Sequence, residues 1–365
     1  MKCDRATIVV QLTPPGRGAV ATLLVDGAEA TLAVEKHFRP VARRKSLSNF
    51  PLGRIVFGRW GGATGEEIVA CRLSEDSIEL CCHGGRIAAA IIEHDLAVSG
   101  CQLISWQQWV MQNAAGEKLI QAEAQLALAE ARTERTAAIL LDQLHGALAA
   151  ELEQIEQLLA CEPKVAVERI SVLLERAPLG LHLTQPWHVV LAGQPNVGKS
   201  SLINALVGYE RAIVFDQPGT TRDVVTAVTA IDGWPVELAD TAGLRPSDDM
   251  LESAGIVRAR TQMQAADLLV LVFDLTQPWT ADDQALVQQW PKALILFNKC
   301  DLPTCSSTER PTGIVLSAAT QAGVDELLHA ISGRFVPNVP LPGKPVPFTD
   351  RQVQRLKQMQ DACSK

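Results

Sequence analysis

Residues Gly193–Ser201 read GQPNVGKSS, preceded by the apolar run His188–Ala192 and followed by Leu202–Leu206. A strand that runs into a glycine-rich turn and then a helix leaves a ring of backbone N–H groups at the helix N-terminus, where the dipole favours negative charge. The spacing is that of a phosphate cradle. Gly193 and Gly198 let the backbone pass close to phosphate, Lys199 reaches the β- and γ-phosphates, and the Ser200 hydroxyl holds Mg²⁺, with Asn196, Val197 and Ser201 completing the loop. At average glycine usage, a chance match in a chain of this length has odds of roughly 1%. The flanking strand and helix patterns lower those odds further.

Around this loop the pattern alternates between strands and helices. Strand-like runs occur at His188–Ala192, Val224–Ile231, Val236–Ala239, Leu268–Leu275, Leu294–Phe297 and Ile314–Leu316. Helical spacing lies between most of them, so a largely parallel, doubly wound sheet is expected over 186–335, with the ligand loops at the carboxyl ends of the strands.

The phosphate loop alone leaves ATP and GTP open. Asn298-Lys299-Cys300-Asp301, at the end of a strand, decides between them. A carboxylate at Asp301 accepts from both N1–H and the exocyclic amine of guanine, whereas adenine offers a mismatched edge. Asn298 contacts the purine or holds the loop, Lys299 lies along the base, and Ser317-Ala318 matches the loop that supports it. The ligand is GTP/GDP. Asp240-Thr241-Ala242-Gly243 places Asp240 near Mg²⁺ and lets the Gly243 N–H follow the γ-phosphate. Between the two motifs, Gly219-Thr220-Thr221-Arg222-Asp223 offers the hydroxyl, best assigned to Thr221, that completes the metal shell. Leu244 stands where Ras-like enzymes carry a glutamine that orients water, and an aliphatic side chain cannot do that. Asp248, Asp249 and Glu252 are the groups on offer before Gly255.

The rest of the chain is consistent with a multidomain protein. A length of 365 residues exceeds one ordinary core, and the apolar and charged fractions are those of a globular protein. Residues 1–113 read as an α+β N-terminal domain, with strand-like runs at Thr7–Leu12, Ala19–Val25, Arg54–Phe57, Glu67–Arg72 and Ser77–Cys81 and a helix over Arg86–Val98. An α-helical middle unit is expected over 114–185, where Leu141, Leu144, Leu148, Leu152, Ile155 and Leu159 recur on one helix face. A proline-rich extended linker follows at 336–347. Residues 348–365, with Val353, Leu356 and Met359 on one face, can join the helical unit.

A net charge of −8 argues against general nucleic-acid binding, so any RNA contact is local; the cluster Arg39, Arg43, Arg44 and Lys45 could supply one but reads first as a solvated loop. Nine scattered cysteines without a CxxC pair suit reduced thiols. The absence of a signal peptide and of any apolar run near the ~20 residues of a membrane span points to a cytoplasmic protein with no membrane partner.

The chain also reads TPPGRG at 13–18, IELCCHGG at 78–85, QAEA at 121–124, ARTERTAA at 131–138, PGTTRD at 218–223 and DTAGLR at 240–245. In these motifs and in its domain order, over most of residues 5–335, it resembles the TrmE/MnmE family of tRNA-modification GTPases. The resemblance implies a homodimer formed through the N-terminal domain, and G domains that pair across their nucleotide faces around K⁺. Asn196 and the segment Phe215–Thr220 would be the K⁺ side, through Asn196, Phe215, Gln217 and Thr220. Glu252 would be the catalytic group that positions water, alongside Lys199, with K⁺ standing where an arginine finger stands elsewhere. It also implies tRNA wobble-uridine modification with a folate derivative and a flavoprotein partner.

Departures accompany the resemblance. NAAGEK from Asn113 stands where the family carries an FLNGK-like segment, and an arginine expected on the second strand is replaced at or near Leu24, although Glu79 persists. The family's C-I-G-K ending has no close counterpart in Ala362-Cys363-Ser364-Lys365. Two functional readings follow: a GTP-hydrolysing tRNA-modification protein, or a diverged regulatory GTPase that has lost the folate and tRNA chemistry.

Overall fold

The computed structural model describes residues 6–14, 16, 18–41, 46–114, 116, 118–208, 226–240, 260–305 and 310–363. They form two units, Met1–Leu119 and Ile120–Lys365.

The first unit contains β1 (Ile8–Gln11), β2 (Val20–Asp26), α1 (Ala30–His37), β3 (Phe38–Pro40), β4 (Ile55–Trp60), β5 (Glu66–Arg72), β6 (Ser77–His83), α2 (Arg86–Val98), β7 (Gln102–Leu103) and α3 (Trp106–Gln112). Its seven strands form one sheet in the order β3-β4-β5-β6-β2-β1-β7. All neighbours are antiparallel except β1 and β7. Along β6, Ile78, Leu80 and Cys82 are buried while Ser77, Glu79 and Cys81 are only half so, the period of two that covers one sheet face. That face meets Ile92 and Leu96 of α2 and Val34 of α1. Arg39 of the basic cluster donates to the Lys36 carbonyl at 3.2 Å. Arg43, Arg44 and Lys45 lie outside the described residues.

The second unit opens from α4 (Lys118–Glu130) into α5 (Glu134–Leu144), α6 (Ala147–Cys161) and α7 (Pro163–Leu181). The nucleotide-binding domain follows with β8 (Trp187–Ala192), α8 (Lys199–Val207), β9 (Thr226–Ile231), β10 (Trp234–Asp240), β11 (Leu268–Asp274), α9 (Ala281–Gln289), β12 (Leu294–Asn298), β13 (Ile314–Val315) and α10 (Val324–Phe335). A last helix, α11, runs over Asp350–Cys363. No helix among the described residues is long and apolar enough to cross a membrane.

The leucine stripe from Leu141 to Leu159 does not lie on one helix. The chain turns at Gly146, whose φ of +101° is open to glycine and costly for other residues, and α6 starts anew after it. Leu148, Leu152 and Ile155 keep their buried face, but Leu141 is 39% exposed. The proline-rich stretch read as a linker is also fastened down. Val346 and Phe348 are buried, Gln143 bonds both the Lys344 carbonyl (3.2 Å) and the Val346 N–H (3.2 Å), and Arg176 donates to the Pro345 carbonyl at 2.9 Å. Beyond it, Arg351 of α11 forms a two-pronged pair with Glu123 of α4 at 2.6 and 2.7 Å.

The second sheet has the order β13-β12-β11-β8-β10-β9, parallel throughout except for the β9–β10 hairpin. Leu268–Phe273 of β11 is an unbroken buried run, as expected for a strand covered on both faces. β8 is central: the chain passes to β10 on one side and to β11 on the other, which leaves a crevice at the carboxyl end of β8.

Where the helices meet this domain, the His182 ring stacks on Trp187 at 3.6 Å, and Trp187 stacks on Phe335 at 4.6 Å. Asp267 accepts from the His188 N–H at 2.7 Å and faces His182 Nε2 at 3.3 Å. Burial opposes ionisation of Asp267, but the His182 and His188 hydrogen bonds and the charge of the two rings outweigh it, so the carboxyl lies below its usual range. A lowered carboxyl contributes stability above its unfolded value and loses that contribution as pH falls through the lowered one. Between about pH 5 and pH 2, the urea midpoint of the wild type should therefore fall further than that of Asp267→Asn. Equal losses in the two proteins would contradict this.

Candidate functional site

Gly198 forms the N-cap of α8 with φ +96°, and a Cβ there would stand 2.3 Å from Asn298 Nδ2. Glycine is thus required twice over, by the left-handed backbone and by the passage of the Asn298 amide. The turn points the first N–H groups of α8 into the crevice beyond β8, where the helix dipole attracts an anion. Lys199 is buried, and its ammonium donates to the carbonyls of Gly193 (3.0 Å) and Gln194 (2.9 Å), arching over the loop. Ser200 Oγ donates to Asp240 Oδ2 at 2.6 Å, with Asp240 1% exposed at the carboxyl end of β10. A hydroxyl bonded to a buried carboxylate is a set of hard oxygen donors.

The base-recognition motif is joined to this loop from the side. Asn298 Nδ2 donates to the Val197 carbonyl at 2.9 Å, and Asn298 Oδ1 accepts from Ala318 N at 3.0 Å. The Asn298 amide thus ties the phosphate loop to Ser317-Ala318. Ser317 is buried and stabilises its own turn by accepting from Thr320 N at 3.1 Å. Lys299, at φ +70°, donates to the Asn196 carbonyl at 2.8 Å, and Asn196 is itself at φ +65°. Asp301 is exposed, while its loop is pinned by the Cys300 N–H to the Leu316 carbonyl at 3.2 Å. Ser201 is exposed on the first turn of α8.

Sequence reading missed one residue of this cluster. Asp274, the last residue of β11, accepts from Lys299 Nζ at 2.6 Å and from Thr276 N and Oγ1 at 2.9 and 2.7 Å. Burial opposes its ionisation, but hydrogen bonds from Lys299 and Thr276 and the Lys299 charge hold the carboxyl below its usual range. The available signal was an Asp at a strand end with Thr two residues on, a spacing that lets the carboxylate cap its own turn. A cleft of about 410 Å³ borders the pair, lined in part by Asn196, Trp279 and Arg310.

Phe215, Gln217, Thr220, Thr221, Gly243, Asp248, Asp249 and Glu252 lie outside the described residues. In the first unit, the β2–β6 register sets Leu24 opposite Glu79, so an aliphatic side chain faces the carboxylate across the strands.

A family model described as 50S ribosome-binding GTPase matches residues 188–299. The chain is 35% identical over 334 residues to the tRNA modification GTPase MnmE of Chloroflexus aurantiacus, covering 81% of this chain and 73% of that protein. It is 34% identical over 377 residues to MnmE of Synechococcus sp. (strain WH7803), covering 91% and 82%, respectively. For MnmE of Desulfitobacterium hafniense the values are 34% over 356 residues, 87% and 77%.

Proposed function

The chain belongs to the MnmE family of tRNA modification GTPases and is a GTP-hydrolysing enzyme, and from that premise we propose how its own residues carry the reaction. The observation that supports the assignment best is the double tie of the phosphate loop, through Asn298 to Val197 and through Lys299 to Asn196. It makes the phosphate cradle and the guanine loop one rigid piece. Lys199 and the loop amides at Gly198–Ser201 hold the β- and γ-phosphates and stabilise the charge that develops on the transferred group. Asp301 accepts from guanine, Lys299 lies along its face, and the Ser317-Ala318 loop borders it.

Ser200 and Asp240 fit Mg²⁺ by the chemistry of their oxygens, with Thr221 the further hydroxyl. When bound, the ion neutralises phosphate charge. Asp240 acts by orienting the Ser200 hydroxyl, and the Gly243 N–H follows the γ-phosphate. Glu252 orients the attacking water, a task Leu244 cannot perform. Asn196 is exposed beside the loop, and with Phe215, Gln217 and Thr220 it would hold K⁺. When bound there, the ion would supply positive charge in the manner of an arginine finger.

The wider role we assign is modification of the tRNA wobble uridine, as a homodimer with a flavoprotein partner. The names of the relatives give no support to a regulatory protein that has lost this chemistry. The pairing of Leu24 with Glu79 fits a folate derivative poorly, because it offers the carboxylate no cationic neighbour across the strands.

The hydrolytic reading is tested by phosphate release in KCl and NaCl at equal ionic strength, for wild type and Glu252→Gln. Faster turnover in K⁺, lost by about 10²-fold or more in the variant, is expected if this group orients water. Equal rates in both salts together with wild-type activity in Glu252→Gln would overturn it.

A further inference from the structure

We propose that Asp274 is a positioning residue for guanine recognition: it fixes the Lys299 ammonium across the phosphate loop, and through it the pose of the Lys299 stem along the base. The inference rests on the reading of Lys299 as a base-contacting residue. Asp274 Oδ2 accepts from Lys299 Nζ at 2.6 Å, and the same ammonium donates to the Asn196 carbonyl at 2.8 Å. One cation therefore bridges a strand end and the phosphate loop. The carboxylate itself cannot turn away. Its Oδ1 takes two further hydrogen bonds, from Thr276 N and Oγ1, and its side chain is only 9% exposed.

The backbone places the group as closely as the side chain does. In the parallel β11–β12 pair, Asp274 is the register partner of Asn298, and the Leu275 N–H donates to the Asn298 carbonyl at 2.9 Å. Asp274 thus stands beside the residue before Lys299. Lys299 and Asn196 are both non-glycine residues with positive φ, and the ammonium bridge links their two strained turns. A lysine stem of four methylenes has several rotamers, and a free ammonium on its end would sample them. Held at both the carboxylate and the Asn196 carbonyl, the stem keeps one path. The entropy of arresting it is then lost on folding and not on nucleotide binding, which is the physical content of preorganisation.

The test is a double-mutant cycle on nucleotide affinity in the full-length chain. The variants are Asp274→Asn, Lys299→Met and the double mutant, with GDP affinity and dissociation rate measured by fluorescence of a labelled GDP. Asp274→Asn keeps the shape but turns one of the two acceptor oxygens into a donor, which must then face either the Lys299 ammonium or the Thr276 N–H, and it removes the negative charge opposite Lys299. It should weaken GDP binding about tenfold, chiefly through faster dissociation, with KM for GTP rising further than kcat falls. If Asp274 acts through Lys299, the double mutant should bind no more weakly than Lys299→Met alone. A merely structural Asp274 would give additive losses, and that result overturns the proposal while leaving the base-contacting role of Lys299 intact. Wild-type affinity in Lys299→Met would remove that role, and the proposal with it.

Thr276→Ala guards against a folding defect in Asp274→Asn. It retains the carboxylate charge and removes one of the hydrogen bonds that aim it, so a smaller weakening of GDP binding is expected, also absent in the Lys299→Met background. Unchanged affinity in both Thr276→Ala and a folded Asp274→Asn would contradict the proposal.

Discussion

Asp301→Asn should bind GTP about 10³-fold more weakly than the wild type, and should gain affinity for xanthosine triphosphate. In the proposed site the Asp301 carboxylate accepts two hydrogen bonds from the guanine edge. The amide keeps one neutral acceptor and turns the other into a donor, so one charge-assisted hydrogen bond of about 1.5–3 kcal/mol is lost and two donors are left unsatisfied at about 1–3 kcal/mol more, roughly 10²–10⁴ in affinity. The amide of Asn sets an N–H₂ against the exocyclic amine of guanine, two donors facing each other. Xanthine carries an oxygen at that position and accepts from the amide instead. The exposure of Asp301 on a loop held by Asn298 and by the Leu316 carbonyl leaves the fold little dependent on its charge. Competition titrations with GTP, xanthosine triphosphate and ATP would measure the change. A uniform loss for all three would place Asp301 outside the base site.

Lys199→Ala should reduce single-turnover hydrolysis by at least about 10³-fold, since a preorganised donor facing developing negative charge contributes roughly 10²–10³ even when it is uncharged. The buried ammonium also satisfies the carbonyls of Gly193 and Gln194, so truncation loosens the loop as well as removing the charge. Lys199→Arg should not restore the rate. The guanidinium is a wide planar fork, and the place occupied by Nζ sits between two carbonyls of a tight turn. Substantial hydrolysis by Lys199→Ala, measured as phosphate released from enzyme-bound GTP, would mean that another group carries the transition-state charge.

The nucleotide-binding domain was legible because its chemistry and its geometry constrain the same few residues. GQPNVGKSS needs a strand before it and a helix after it, and both are there as Trp187–Ala192 and Lys199–Val207. Asn298 illustrates the limit of such reading. Its motif places it at the base, but sequence left its contact open, and only the folded chain shows both ends of its amide tying loops. The role of Asp274 was hidden for a related reason: an Asp that caps its own turn at a strand end resembles any solvated terminus until Lys299 is brought to it from twenty-five positions away.

Elsewhere the apolar pattern was right about burial and wrong about continuity. Leucines at three- and four-residue spacing run straight through Gly146, and periodicity alone does not register a turn that lies between two helices in phase. The proline-rich stretch reads as a linker because Pro and Gly dominate it. Val346 and Phe348 are the signal that it is packed, and Gln143, a lone amide in a helix, supplies the hydrogen bonds that fasten it. In the first unit, the short helix Ala30–His37 has too few turns to show a period.

The measurement closest to the central claim is the initial rate of phosphate release by the purified full-length chain, with Mg²⁺ and K⁺ present, from GTP and from ATP in parallel. Sustained release from GTP, little from ATP, and loss of the GTP activity in Lys199→Ala are expected. Equal release from both nucleotides, or GTP bound and left intact, would contradict it.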